Sequence, residues 1–535
     1  MEGFRMKRMV LVLAALLLVT GVIFGGGQQQ QASKDTTFTL LVDSDNPVAP
    51  GWYAMYDVIE KETGIKVELM VYPFQAAVEQ KNIMLSTGSY PDAMGGWIVS
   101  ATDIMALSAD KVIIPLEDLI KNTKNIKENL ERPGIREAMT LPDGHIYSPP
   151  YTAVEPLVNY SPWINKNWLD QLGLQVPTTT DQFKQALIAF RDRIPNVGGQ
   201  KIIPFSGDSN NLGLGGLAGW WGQPAPNGGN SAGYFSVING RVESTIIRSE
   251  YREFVRYFAD LNRERLLDPE LFTQDLATWK AKGKQGLYGV NIAYAPTDFV
   301  DVDSKLKAAD PSKNPTGWVP LPVLRAPGVT NPVFRNNNNG NTMFRSQFVI
   351  TDKASKAKAA NIMKWLDALY DPIHSYEAIS GPINKFWKIV SQSGGVTVYE
   401  YLSDVFNAAS PDEQVKNDAN GYSVLSLPRW RRANAIWQRQ PSPGWENEYK
   451  DTDVRDALYK PFLEPIPMPA AWLNAADAAK VADLQTPIND YVKQKMAEWI
   501  SGQANVDAEW DAYIAQLNRM GLQELLAIKR RAIKL

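Results

Sequence analysis

The sequence predicts an α/β protein of two lobes, and three observations carry that expectation. Thr37 to Val42 reads as a strand, Trp52 to Thr63 as a helix closed by Gly64, and Lys66 to Val71 as a second strand with Val67, Leu69 and Val71 on one face. A strand, a helix and a strand in that order imply parallel pairing through a right-handed crossover. A chain of 535 residues also exceeds what one hydrophobic core organises, so more than one lobe is expected. Finally, Gly144 to Tyr151 (GHIYSPPY) is stiffened by two prolines and reads as a crossing between lobes.

Met1 to Gly27 stands outside that pattern. Arg5, Lys7 and Arg8 precede an apolar run from Met9 to Val19, and small residues follow at Gly25 to Gly27. This is the layout of a secretory leader, too short and wrongly flanked for a membrane span; an N-terminal anchor is the alternative reading. The expected division is a signal peptide over 1–25 and a polar linker over 26–35. One lobe is expected over 36–148 plus 286–330. The other is expected over 149–285 plus 331–535, including a C-terminal helical region. The chain has no Cys, so no disulfides are available and the size of the core must replace them. The formal net charge of −3 is mild, which makes nucleic acid an unexpected partner.

The remaining elements follow in order. Glu79 to Trp97 (EQKNIMLSTGSYPDAMGGW) reads as a helix, a turn at Gly88 and a very short strand at Pro91 to Met94. The glycines after that strand leave Trp97 at the sheet's carboxyl edge, where open α/β sheets bind ligands. Trp168, Leu169 and Leu172 share a helical face ended by Gly173, and Thr179 with Gln182 makes a capping box for the next helix. Tyr251, Phe254, Val255, Phe258 and Leu261 form a stripe at helical spacing. Gly286 to Ala293 is expected to re-enter the first lobe, with a third crossing between Pro320 and Gln347. Asn336 to Asn339 is a low-complexity loop. Thr486-Pro487 is read as a helix start, with Ile488, Tyr491, Val492, Met496, Trp499 and Ile500 as its buried stripe.

Lys81, Met84, Leu85, Ser86, Gly88, Pro91 and Asp92 together resemble the signature of family 1 extracellular solute-binding proteins of ABC importers. Tyr160 to Phe183, Leu266 to Asp275, Gly286 to Tyr294 and the C-terminal string IxxYVxxxMAEWISG…EWDAYIAQLNRMGLQELL resemble the same family, so the likeness runs from Thr37 to Leu526. It implies a two-lobed type II periplasmic-binding-protein fold, each lobe a mostly parallel sheet flanked by helices, joined by several hinge crossings. It implies further a monomer, exported to the periplasm or cell surface, that captures a carbohydrate by lobe closure and delivers it to a permease. Relatives are often tethered through a lipidated Cys; here Gly25 or Gly26 stands at that point, so lipid anchoring is not expected.

Chemistry is constrained by what the chain lacks. With only two histidines, His145 and His374, and no Cys, multi-His metal sites and Cys nucleophiles are excluded, and no cofactor is expected. His145 is read as a structural hydrogen-bonding residue. Gly213 to Ala218 fits G-x-G-x-x-A formally, but no strand precedes it and a loop is the better reading. Asp301-Val-Asp303-Ser opens like a calcium loop yet lacks the central Gly and the closing Glu, so acidic caps on a helix are expected instead. An exported carbohydrate enzyme with a carboxylate pair stays open as an alternative, since no motif singles out two of the many carboxylates. A peptide binder of the same fold is the other.

Sugar clefts combine aromatic rings over apolar ring faces with planar polar groups for hydroxyls. On that basis the candidate ligand residues are Asp45, Trp52 and Trp97 in the first lobe and Tyr151 at the first crossing. Asp208, Trp220, Trp221, Tyr294 and Asp298 follow, with Asn338 near the last crossing and Arg429 and Trp430 in LPRWRR. No catalytic and no metal residue is expected. The arginines of LPRWRR would suit an acidic ligand such as a uronate.

Overall fold

The computed structural model describes residues 35–44, 50–153, 158, 160–194, 196–207, 214–223, 234–310, 312–335, 342–344, 347–380, 382–384, 387–393, 396–401, 427–428, 437–440, 449–465 and 472–533. The leader and the candidates Asp45, Asp208, Asn338, Arg429 and Trp430 lie outside the described residues.

The chain opens with strand β1 (Thr37–Asp43), helix α1 (Pro50–Thr63), β2 (Lys66–Tyr72), α2 (Phe74–Thr87), β3 (Ala93–Gly95) and α3 (Ala101–Ala109). It then reaches β4 (Tyr151–Ala153). Beyond lie β5 (Ser161–Asn165), α4 (Lys166–Leu172), α5 (Thr180–Arg193), β6 (Ile203–Ser206), α6 (Ser249–Arg263), β7 (Tyr288–Ala293) and β8 (Trp318–Pro320). The return runs through β9 (Thr342–Phe344), β10 (Phe348–Ile350) and α7 (Lys356–Leu369). The C-terminal part contributes α8 (Asp451–Tyr459), α9 (Ala475–Ser501), α10 (Val506–Arg519) and α11 (Leu522–Ala532).

Two four-stranded sheets organise the two lobes. The first has the order β10-β3-β1-β2, with β1 parallel to both neighbours and β10 antiparallel to β3. Thr37 to Asp43 pairs with Lys66 to Tyr72 residue for residue, which is the β-α-β unit the alternation in Lys66 to Val71 indicates. Its faces bury two separate clusters, Phe38, Leu40 and Val42 on one side and Leu41, Met94 and Val349 on the other. The second sheet has the order β8-β5-β7-β6. Here only β6 and β7 pair in parallel, because β5 lies inside the sheet and runs against both its neighbours. In each sheet the reversed strand is the one arriving from the other lobe. Between the lobes, β4 and β9 pair as an antiparallel ribbon. Asn129 Nδ2 and the Tyr370 hydroxyl both donate to the Pro150 carbonyl, at 2.9 and 3.0 Å, and so fix the start of that ribbon to the first lobe.

Three expectations need correction. Residues 286–330 do not return to the first lobe: β7 pairs with β5 and β6, and β8 with β5. A fully buried strand such as Tyr288–Ala293 carries no polar face that would tell one sheet from another. Residues 347–369 belong to the first sheet and its core, not to the second lobe. Thr486-Pro487 does not start a helix, since α9 runs unbroken for 27 residues with Pro487 inside it. The buried stripe simply continues: Ala478 joins Ile104 and Leu107 in the first lobe, while Val481, Ile488, Val492 and Trp499 join the second-lobe core. Helix α9 therefore straddles the lobes, and Trp472 just before it donates its indole N–H to the Ala138 carbonyl at 2.7 Å. Among the described residues no helix is long and apolar enough to cross a membrane.

Candidate functional site

Ligands of open α/β sheets lie beyond the carboxyl ends of the strands. In the first lobe that edge comprises Asp43 and Ser44 after β1, Tyr72 ending β2, Gly96 and Trp97 after β3, and Gln347 before the reversed β10. The local sequence dictates how Trp97 is presented. Gly96 adopts φ of +91°, a conformation that suits glycine, and a Cβ at Gly95 would meet Leu427 at 2.8 Å. The chain turns there, and Trp97 is left 45% exposed although it is a tryptophan. Its backbone N–H donates to Asp43 Oδ1 at 2.8 Å, and the Gly96 N–H donates to the Gln347 carbonyl at 2.9 Å. The following turn is held by Lys81 of α2, a buried cation that donates to the Ile98 carbonyl at 2.9 Å and to Asp103 Oδ2 at 2.7 Å. Asp103 also closes a capping box with Ser100 at the start of α3.

The corresponding edge of the second lobe follows β6 and β7. Ser206 donates to Asp268 Oδ2 at 2.8 Å, Gln274 Nε2 donates to Ser206 Oγ and to the Gly207 carbonyl, and Lys282 pairs with Asp268. This buried network fixes the departure point of the loop that contains Asp208. After β7, Asp298 Oδ2 accepts the N–H groups of Tyr294 and Ala295, both at 3.1 Å. Burial raises the Asp298 carboxyl, and those two amides oppose the shift. The Tyr294 carbonyl accepts from Arg455 Nη1 at 2.6 Å, and the fully buried guanidinium lies 5.3 Å from the Tyr294 ring centroid. Arg455 of α8 was not among the candidates; no sequence spacing ties it to β7, 161 residues earlier.

Near Arg455, Asp451 begins α8 with its Oδ1 buried and without a hydrogen-bond partner among the described residues. Burial pushes its carboxyl up to about 6, against the opposing pull of Arg455 and Lys307. The folded state therefore holds a proton that the unfolded chain has released between about pH 4 and 6. Stability contributed by this group falls as pH rises through that window and is constant above it. Asp451→Asn should thus raise stability at pH 7 by about 1–2 kcal/mol, after discounting for residual solvent contact, with the gain shrinking to a few tenths at pH 4. Urea denaturation of both proteins at the two pH values measures this.

The other candidates separate clearly. Tyr151 is buried in the hinge ribbon opposite Phe344. Trp52 lies in α1, its side chain outside the described residues. Trp220 is a core residue, not a ligand residue. The Gly-rich stretch winds as a 3-10 helix over Leu214–Trp221 that turns Trp220 inward, fully buried and edge-on to Phe183 at 5.5 Å. Trp221 is half-buried against Phe254 and Tyr257. It lines a groove of about 1000 Å³ between α6 and the turn from α9 to α10, on the helical flank rather than at the strand ends. Among the described residues no group of three or more His, Asp or Glu is placed to hold a metal. Asp303 caps a short helix by accepting the Leu306 N–H, and His145 Nδ1 lies 3.1 Å from Glu117, beside the Glu117–Ile146 backbone bond.

Against known proteins, the model of the family described as bacterial extracellular solute-binding protein matches residues 44–374. The chain belongs to this family. It is 31% identical over 503 residues to the fructooligosaccharide ABC transporter substrate-binding protein FusA of Streptococcus pneumoniae, covering 91% of this chain and 87% of that protein. The structure of S. pneumoniae FusA in complex with kestose superposes with a TM-score of 0.75 at 29% identity, covering 92% of this chain and 98% of that one. An EF-hand mutant of FusA in complex with fructo-nystose gives 0.76 at 28% identity, with the same coverage. The two-lobed solute-binding fold and the extracellular role of the family are thereby established for this protein. Its site is one that binds a solute between strand-end loops of two lobes.

Proposed function

We propose that this protein captures an oligosaccharide between its lobes and hands it unchanged to an ABC permease. The observation that carries the reading is Trp97, a half-exposed indole fixed at the carboxyl edge of the first sheet with Asp43 and Gln347 on the flanking strands. An exposed aromatic face covers the apolar face of a pyranose or furanose ring, and planar polar groups beside it satisfy hydroxyls. Support comes from the end-to-end likeness to a fructooligosaccharide-binding protein. Binding stabilises closure, because a ligand touching both lobes favours the state in which both can reach it.

The test is a thermal-shift and calorimetric screen of the mature protein against kestose and longer fructooligosaccharides, other neutral saccharides, uronic-acid oligomers and short peptides. A native-state ligand raises the unfolding midpoint with concentration, about 2.7 kcal/mol at one hundred times Kd. Recovery of the saccharide intact supports transport. Recovery in pieces would replace this reading with the hydrolytic one, and a response confined to peptides would replace the ligand class. Within the same screen, Trp97→Ala is expected to weaken saccharide binding about tenfold or more while leaving the unliganded midpoint nearly unchanged, because the ring is not core. Trp97→Phe should recover much of the loss.

A further inference from the structure

The inference drawn here rests on the carbohydrate reading and identifies a residue that recognises the ligand. The reversed strand of each sheet has its amino end at the ligand-facing edge. Gln347 stands directly before β10, and Ser161 opens β5. Gln347 is 2% exposed, yet neither its Nε2 nor its Oε1 finds a hydrogen-bond partner among the described residues. Its backbone carbonyl, in contrast, accepts from Gly96. Ser161 is fully buried, and its Oγ likewise has no partner among the described residues. Each of these polar groups adjoins a strand that ends in an aromatic, Trp97 after β3 and Tyr294 after β7. The same juxtaposition thus occurs once in each lobe.

Buried polar side chains are almost always paired, and an unpaired amide destabilises the protein that keeps it. Gln347 is also on the right face. Along β10, Phe348 and Ile350 pack into one core, while Val349 packs into the other with Ile98 and Val99 of the Trp97 turn. Alternation places Gln347 on the Val349 side, toward that turn. A primary amide offers two N–H donors and one carbonyl acceptor in a plane, which matches neighbouring hydroxyls that each donate and accept. A carboxylate would only accept and a lysine only donate.

We propose that Gln347 is a specificity-determining contact of the ligand site: its amide donates to and accepts from hydroxyls of the saccharide whose ring rests on Trp97. The experiment compares the mature native protein with Gln347→Met, which keeps volume and removes the amide, and Gln347→Asn, which keeps the amide but withdraws it. Calorimetric titration with kestose and thermal unfolding without ligand are the two readouts. Gln347→Met should bind at least tenfold more weakly while its unliganded midpoint stays equal or rises by a few degrees, since an unpaired buried group has been removed. Gln347→Asn should also bind more weakly. A Kd for Gln347→Met within twofold of native would overturn the assignment. So would a fall in the unliganded midpoint that accompanies the weaker binding, because Gln347 would then be a structural residue. Failure of the native protein to bind any saccharide would overturn the carbohydrate reading and this inference with it, an outcome distinct from the other two.

Discussion

Arg455→Met is expected to destabilise the second lobe by about 3–5 kcal/mol, the range for removing one partner from a buried ionic cluster. The guanidinium is fully buried, bonded to the Tyr294 carbonyl at 2.6 Å and to Asp456 at 3.0 Å, with its carbon 6.0 Å from the Trp163 ring centroid. Methionine fills much of the space but leaves the carbonyl without that donor and Asp456 without its cation. The urea midpoint should fall with the slope unchanged, and a loss below about 1 kcal/mol would sink the account. A second signature follows from Asp451. Arg455 is the larger of the two cations that lower its carboxyl. Without Arg455 that group should titrate above 6, and the pH-dependent loss of stability should extend to higher pH than in the native protein. Saccharide affinity should also fall, since Tyr294 would be less firmly positioned.

How far the sequence reaches is clear from particular residues. The first β-α-β unit was legible because Lys66 to Val71 alternates and Gly64 ends the helix, both local signals. Trp97 was legible for the same reason: a strand of three residues followed by two glycines can only turn. Asp43 shows the limit of resolution, since the loop after β1 was recognised but Asp45 was chosen over the residue that bonds Trp97. Gln347 and Arg455 were not legible at all. Their roles arise from pairings to residues more than 150 positions away, the Gly96 N–H and the Tyr294 carbonyl. Trp220 was misread because its neighbours are glycines and leucines with no periodicity, so nothing in the string distinguishes an inward indole from an outward one. Pro487 was misread because a proline is more common at a helix start than inside, yet here the buried stripe on both sides holds α9 together.

Lys81 plays in the first lobe the part that Arg455 plays in the second: a buried cation on a helix that holds the carbonyl of a strand-end turn bearing an aromatic. Lys81→Met should cost about 3 kcal/mol and weaken saccharide binding several-fold, because the Ile98 carbonyl and Asp103 lose their shared donor and the Trp97 turn loosens. Two mechanisms for that loss can be separated. If the uncompensated Asp103 charge dominates, Lys81→Met combined with Asp103→Asn should regain at least about 1 kcal/mol, since a neutral pair no longer buries a lone charge. The amide can still accept the Ser100 backbone N–H, so the start of α3 stays capped. Affinity should not recover in the double variant, because asparagine cannot replace the ammonium at the Ile98 carbonyl. Stability that recovers while binding does not would place the effect of Lys81 on ligand capture in the geometry of the turn rather than in the stability of the lobe. Recovery of both together would mean that the turn keeps its shape without Lys81, and that Trp97 is held by Asp43 and the Gly95–Gly96 turn alone.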